Sequence, residues 1–304
     1  MSTGSKLFFA FVILIFCSGS GLAADQKIIF VSIVPQKYFV QQIGRNLVDV
    51  RVMVQPGASP TTYEPKPGQM ADLSKSEVYF AIGVAFENVW LKKIAAANPE
   101  MKVVHTDQGI TKLPMAAHHH PDEAGDPHPE KGEAPGKDHS ERSGLDPHIW
   151  LSPPLVKHQA RTILTALQEI DPDRRDVYEA NFRQFAAAVD SLDRELRQTL
   201  ADGQGLQFMV FHPAWGTFAH TYGLQQVPIE IQGKDPKPSQ LKDLIEYARK
   251  RGIRVIFVQP QFSHKSAKLV AGEINGQVVI ADPLAEDWMT NLREVANKLK
   301  AALK

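Results

Sequence analysis

The chain holds one cysteine in 304 residues, Cys17, and that scarcity removes most sulfur chemistry. Cys17 falls in the first two dozen residues, which read as a targeting segment, 1–23. Lys6 supplies the positive start, and residues 7–16 form an apolar run about half the roughly 20 residues that span a bilayer. Gly21-Leu22-Ala23 supplies a small-residue cleavage site. A lipid-modified Cys17 is the competing reading, and the bulk of Phe16 directly before it argues against that. The exported chain expected after Ala23 then has no cysteine at all. Disulfides and thiolate metal ligands are excluded, even in a compartment that tolerates disulfides.

An excess of either charge is also missing. Lys+Arg and Asp+Glu both total 34, which argues against a nucleic-acid partner, since such binders carry a basic surplus. After the targeting segment no apolar stretch is long enough to cross a membrane. No His-Glu-x-x-His motif is present, so the commonest zinc-protease signature is absent.

Histidine is what the chain does have. Five of the eleven fall in residues 116–144, AAHHHPDEAGDPHPEKGEAPGKDHSERSG. This stretch has no aliphatic residue larger than alanine and is dense in Pro, Gly, Asp and Glu, so it cannot bury enough apolar surface to offset the entropy of ordering it. Neutral imidazole is the commonest metal ligand among side chains, so a His-rich tract of this kind reads as metal-handling. The plainer alternative is a solvated loop whose histidines are incidental.

About 280 residues remain after the targeting segment, enough for two ordinary domains. Short apolar runs at 28–33, 48–54, 78–82 and 103–104 read as strands. Residues 86–97 carry Phe86, Val89, Trp90 and Ile94 at helical spacing. Asp171-Pro172 reads as a helix start, a capping carboxylate followed by proline at the first helical position. From there Val177, Phe182, Phe185, Val189, Leu192, Leu196 and Leu200 keep a helical period to Gly203, a run of about 45 Å at 1.5 Å per residue. The second half alternates again: strands at 208–211, 227–231, 255–258 and 278–281, and helices at 215–222, 239–251 (capped by Ser239 and ended by Gly252), 263–274 and 288–302. Strands alternating with helices imply parallel sheets. The expected fold is α/β with two lobes, 24–170 (containing the 116–144 loop) and 204–304, joined by one long rigid helix over 171–203.

Ligands of open α/β sheets bind at the carboxyl ends of strands. His212 and Asp282 follow the expected strands 208–211 and 278–281 directly, and each is followed by a proline that stiffens its turn. In the first lobe His148 sits behind Pro147. Two imidazoles and a carboxylate make a zinc or similar divalent site without thiolate. His105, at a strand end, reads as solvent-exposed. His158 and His220 read as surface or packing residues of helices, and Trp150, Trp215 and Trp288 as cleft-wall core.

Several ordered motifs resemble one family. They are Gln55-Pro56-Gly57-Ala58-Ser59-Pro60-Thr61-Thr62-Tyr63-Glu64-Pro65, Asp146-Pro147-His148-Ile149-Trp150-Leu151-Ser152-Pro153, Phe211-His212-Pro213-Ala214-Trp215-Gly216 and Ala281-Asp282-Pro283-Leu284. Lys234-Asp235-Pro236-Lys237-Pro238-Ser239 and the stretch 257–263 add to them. The chain is similar to the cluster A-I metal-binding components of ABC importers, of the zinc-specific ZnuA type, over essentially all of the exported part. The resemblance implies a periplasmic, non-enzymatic and monomeric receptor that holds one metal between its lobes and delivers it to a membrane permease. It also implies a His-rich loop between the first and second ligand motifs, which this chain has.

One position departs from the family. Its first histidine ligand follows Ala58-Ser59-Pro60, where this chain has Thr61, a poor zinc ligand beside imidazole. The carried-over set is therefore His148, His212 and Asp282. The fourth position is open to a water, to His118, His119 or His120 of the loop, or to His264. Glu64, near Thr61, is a candidate to hydrogen-bond a ligand imidazole. Zinc is the expected cargo. Manganese is the alternative, because the loss of an imidazole makes the site more oxygen-rich. A zinc-dependent hydrolase is the more distant alternative, with no general base in view except Glu64 or Glu230.

Overall fold

The computed structural model describes residues 26–115, 144–231 and 233–302. The expected targeting segment, 1–23, and most of the His-rich stretch lie outside these residues.

The first lobe is a four-stranded parallel sheet built from β1 (Lys27–Val31), β2 (Val48–Val52), β3 (Val78–Ala81) and β4 (Lys102–His105), in the order β2-β1-β3-β4. The second is built from β5 (Gln207–Val210), β6 (Gln225–Pro228), β7 (Val255–Val258) and β8 (Gln277–Ile280), in the matching order β6-β5-β7-β8. All strand pairs within each sheet are parallel. The inner strands β3 (VYFA) and β7 (VIFV) are buried at every position. Strands covered on both faces need such unbroken apolar runs, and this is why they stand out in the sequence.

Helices return the chain between strands: α1 (Val34–Gly44), α2 (Pro67–Asp72) and α3 (Ala85–Ala97) in the first lobe, and α6 (Gly216–Thr221), α7 (Pro238–Arg251) and α8 (Lys265–Glu273) in the second. Lys237, not Ser239, is the residue before α7, because Pro238 already occupies its first turn. Gly252 ends α7 in the left-handed conformation, φ 65°, which glycine adopts without steric cost.

Two antiparallel neighbours, α4 (Pro153–Ile170) and α5 (Arg175–Thr199), join the lobes, and the last helix α9 (Trp288–Ala302) lies against α5. The linking helix is shorter than its periodicity suggests. Asp171 makes no side-chain cap. Its carboxylate instead accepts hydrogen bonds from Arg174 Nη1 and the Tyr178 hydroxyl, both at 2.8 Å. Residues Pro172–Arg174 therefore wind as a 3-10 turn, and the regular helix has 25 residues, about 37 Å at 1.5 Å per residue. Its buried stripe is Tyr178, Phe182, Phe185, Val189, Leu192 and Leu196. Val177, expected in that stripe, is 49% exposed, and Tyr178 takes its place.

One apolar core runs through both lobes, from Ile29 and Phe39 through Phe185 and Leu192 to Trp215, Phe257 and Leu299. Trp288 of α9 meets Phe39 of α1 edge-on, with centroids 5.1 Å apart. A second, smaller core of Met209, Ile229, Leu244, Ile256 and Val270 fills the other face of the second sheet. The lobes are thus docked through shared side chains and do not merely hang on a linker.

Candidate metal centre

Strand geometry fixes His212. β5 ends at Val210, and the chain turns at Phe211-His212-Pro213. Gln259, fully buried just past β7, clamps this turn from both sides: its Oε1 accepts the His212 N–H at 3.2 Å and its Nε2 donates to the His212 carbonyl at 2.7 Å. The ring stacks on Phe262 at 4.9 Å and an interplanar angle of 23°. Its Nδ1 lies 2.8 Å from Glu230 Oε1. Glu230 arrives by register. Val210 pairs with Pro228 across β5 and β6, so two residues further on His212 faces Glu230.

His148 stands in the turn before the 3-10 segment Ile149–Leu151 that leads into α4. Its Nδ1 lies 2.6 Å from Asp146 Oδ1, which also accepts the His148 backbone N–H at 2.9 Å. Its ring lies 5.0 Å from that of Trp150. The rings of His148 and His212 approach to 5.3 Å between centroids, at 71°.

A carboxylate only accepts hydrogen bonds. Each Nδ1 therefore carries a proton, so in the neutral ring Nε2 is the nitrogen with the lone pair. Metal-binding histidines are braced in this way by a carboxylate on the far nitrogen. Burial pushes the His148 imidazole below its ordinary pKa and outweighs the attraction of Asp146, so the ring is neutral at pH 7, the form that binds metal. Burial alone would raise Asp146; the His148 ring and the hydrogen bonds from His148 and Thr217 outweigh it and hold the carboxyl below the usual range.

Asp282 lies two residues past β8. Its Oδ1 accepts from the Leu284 N–H and from Gln261 Nε2, both at 2.9 Å. Gln261 precedes Phe262, which stacks on His212, and Pro283 takes the Trp150 indole N–H at 2.7 Å. Asp282 is thus tied to the neighbours of both imidazoles. Among the described residues, however, no three His, Cys, Asp or Glu side chains are gathered as a metal cage. The structure brings His148 and His212 together and leaves Asp282 in its own turn.

The remaining candidates sort plainly. Thr61 and Glu64 are both exposed, and the Thr61 N–H donates to Ser59 Oγ at 3.3 Å. The imidazole-bracing role considered for Glu64 belongs to Asp146 and Glu230. His264 turns its Nε2 to the Gln259 carbonyl at 3.2 Å and so backs the clamp on His212. His118, His119 and His120 lie outside the described residues. His105 is half exposed, His158 bonds the Gln108 carbonyl at 2.9 Å, and His220 is exposed. Trp150, Trp215 and Trp288 are each 1% exposed, core as expected.

Asp146 and Glu230 are the residues that sequence reasoning missed in this role. A signal was available. A ligand histidine needs an acceptor for its second nitrogen, Asp146 stands two residues before His148, and Glu230 stands two residues past the strand that pairs with the one leading to His212.

Comparison with known proteins agrees with this architecture. Residues 29–302 match the family model described as zinc-uptake complex component A, periplasmic. The high-affinity zinc uptake system protein ZnuA of Bacillus subtilis is 26% identical over 264 residues, 86% of this chain and 79% of that one. A putative metal-binding protein of Treponema pallidum is 30% identical over 246 residues, covering 80% and 74%. A crystal structure of ZnuA superposes with a TM-score of 0.82 at 44% identity, over 92% of this chain and 100% of that one. A zinc-bound ZnuA lacking residues 138–173 of its own chain superposes with a TM-score of 0.80 at the same identity, covering 91% and 98%. The matched family is a component of an uptake system and not an enzyme, and this chain belongs to it: the periplasmic zinc-uptake component A family.

Proposed function

We propose that this protein captures a zinc ion in the cleft between its lobes and hands it, chemically unchanged, to the membrane permease of an ABC importer. The observation that carries this reading is the pair of imidazoles 5.3 Å apart, each braced at Nδ1 by a buried carboxylate. His148 and His212 would bind through Nε2, and Asp282 would supply the carboxylate. Water would complete the shell where Thr61 stands in place of the family's first histidine. The family supports zinc as cargo, and export to the periplasm fits the targeting segment. Release follows from the same chemistry. The ligands bind only when deprotonated, so acid or a competing ligand set in the permease displaces them.

Calorimetric titration of the metal-free protein tests the reading. His148→Ala and His212→Ala should each weaken zinc binding by more than the roughly 10–100-fold that loss of a supporting carboxylate brings. Unchanged affinity in both variants would sink the site. Manganese remains the second reading, because one imidazole fewer shifts the donor set toward oxygen. The same titration with manganese decides it: tighter manganese than zinc binding would reverse the cargo.

A further inference from the structure

The segment that carries His148 enters from the first lobe but is fastened to the second. Asp146 is 1% exposed. Its Oδ1 holds the backbone N–H and Nδ1 of His148 at 2.9 and 2.6 Å. Its Oδ2 accepts the Thr217 N–H at 3.1 Å and the Thr217 hydroxyl at 3.0 Å, both on α6 of the second lobe. The Asp146 backbone N–H goes the other way, to the Leu113 carbonyl at 2.7 Å.

Residue 216 must be glycine for this approach. A Cβ there would stand 2.8 Å from Asp146 Oδ2 and 2.7 Å from Gln226 Nε2, too close for either group to stay. Further bonds anchor the same segment: Trp150 Nε1 to the Pro283 carbonyl at 2.7 Å, Trp288 Nε1 to the Trp150 carbonyl at 2.7 Å, and the Thr221 hydroxyl to Ser152 Oγ at 2.9 Å. Hydrogen bonds to an ionised carboxylate are about twice as strong as neutral ones. In a buried network, loss of one partner leaves the others unsatisfied. The two halves of the Asp146 carboxylate are therefore coupled.

We propose that Asp146 is a positioning residue that fixes the tautomer of His148 and, through Thr217 and the space left by Gly216, pins that imidazole to the second lobe beside His212. This rests on the zinc reading above. It assigns the carboxylate two simultaneous partners, so a change at residue 216, which touches neither imidazole, should be felt at the metal.

The test uses the full exported chain. Zinc affinity is measured by titration, and the His148 imidazole nitrogens of the metal-free protein are observed by ¹⁵N NMR. Asp146→Asn and Gly216→Ala should each weaken zinc binding about 10–100-fold and replace the single Nδ1–H tautomer of His148 with a mixture, while the His212 signals stay in place. Asp146→Asn with unaltered affinity and tautomer overturns the proposal, and so does Gly216→Ala with both unaltered. If Asp146→Asn does not fold, Gly216→Ala carries the test alone. His148→Ala separates the two ideas: if that variant keeps wild-type zinc affinity, the zinc reading itself fails, whereas loss of zinc there with no effect at 146 or 216 removes only the positioning role.

Discussion

The two sheets share one strand order but differ at their carboxyl ends. In the first lobe that end is sealed by its own side chains. Ser32 Oγ donates to Glu87 Oε1 at 2.5 Å and lies 2.8 Å from the Tyr79 hydroxyl. Glu87 also accepts the Ile82 N–H at 3.0 Å and the Gly83 N–H at 2.8 Å. Gln36 bridges the Ser32 N–H to Thr106 Oγ1, at 3.0 and 3.1 Å. In the second lobe the equivalent turns present His212, Glu230, Gln259 and Asp282, with one imidazole nitrogen left over for a metal. The same topology serves closure in one lobe and display in the other, and the choice lies in a few side chains one or two residues past each strand.

That contrast can be broken most heavily at Glu87. Burial pushes its carboxyl up, and its oxygens take the Ser32 hydroxyl and two backbone N–H groups. Glu87→Ala would strand those donors in a dry core, at about 1–3 kcal/mol for each one left unsatisfied. We expect the midpoint of chemical denaturation to fall sharply while zinc affinity of the folded protein stays the same. Equal stability would show that the first lobe is not held by this network.

The contrast can be sharpened by returning a ligand to the first lobe. Thr61→His should tighten zinc binding about tenfold, or 1.4 kcal/mol, by replacing water with imidazole. Unchanged affinity would mean that the 55–67 loop stands out of reach and that the second lobe works with His148 alone as its partner.

The smallest expected effect is on pH. His148 titrates near 6.5 when unfolded and lower when folded, because it is buried. Between those values the unfolded chain binds a proton that the native chain does not, so stability falls as pH drops from about 6.5 through the folded value. Asp146 adds a loss of the same sign below 3.8, as its depressed native pKa is approached. Denaturation of the metal-free protein across pH 7 to 5 should show the first slope. His148→Gln should flatten it, and an unchanged slope would mean that other groups carry the acid sensitivity.

Much of this architecture was legible in the sequence. The inner strands β3 and β7 are unbroken apolar runs, and Gly252 and the 288–302 period mark helix limits that the structure reproduces. Other features were hidden for physical reasons. α4 opens on Pro153-Pro154, which masks its start, and its stripe of Val156, Ala160, Ile163 and Leu167 is modest in bulk. Asp171-Pro172 carries a helix-start signal, but Arg174 and Tyr178 compete for the carboxylate and delay the helix by a turn. At the site, the motifs give His148 and His212, because strand ends and prolines mark them. The braces are marked less plainly: Asp146 reaches only two residues forward to His148 and carries no strand-end signal of its own as a brace, and Glu230 acts across a strand pair whose register exists only in the folded sheet.

The central claim is that His148 and His212, each braced by its carboxylate, hold the same zinc ion. Crystals of the zinc-loaded protein, with anomalous scattering recorded on both sides of the zinc edge, test it most directly. The account predicts one strong peak within about 2.0–2.1 Å of Nε2 of both imidazoles, with each Nδ1 still on its carboxylate. A peak bonded to only one of the two rings, or lying outside the cleft altogether, would contradict it.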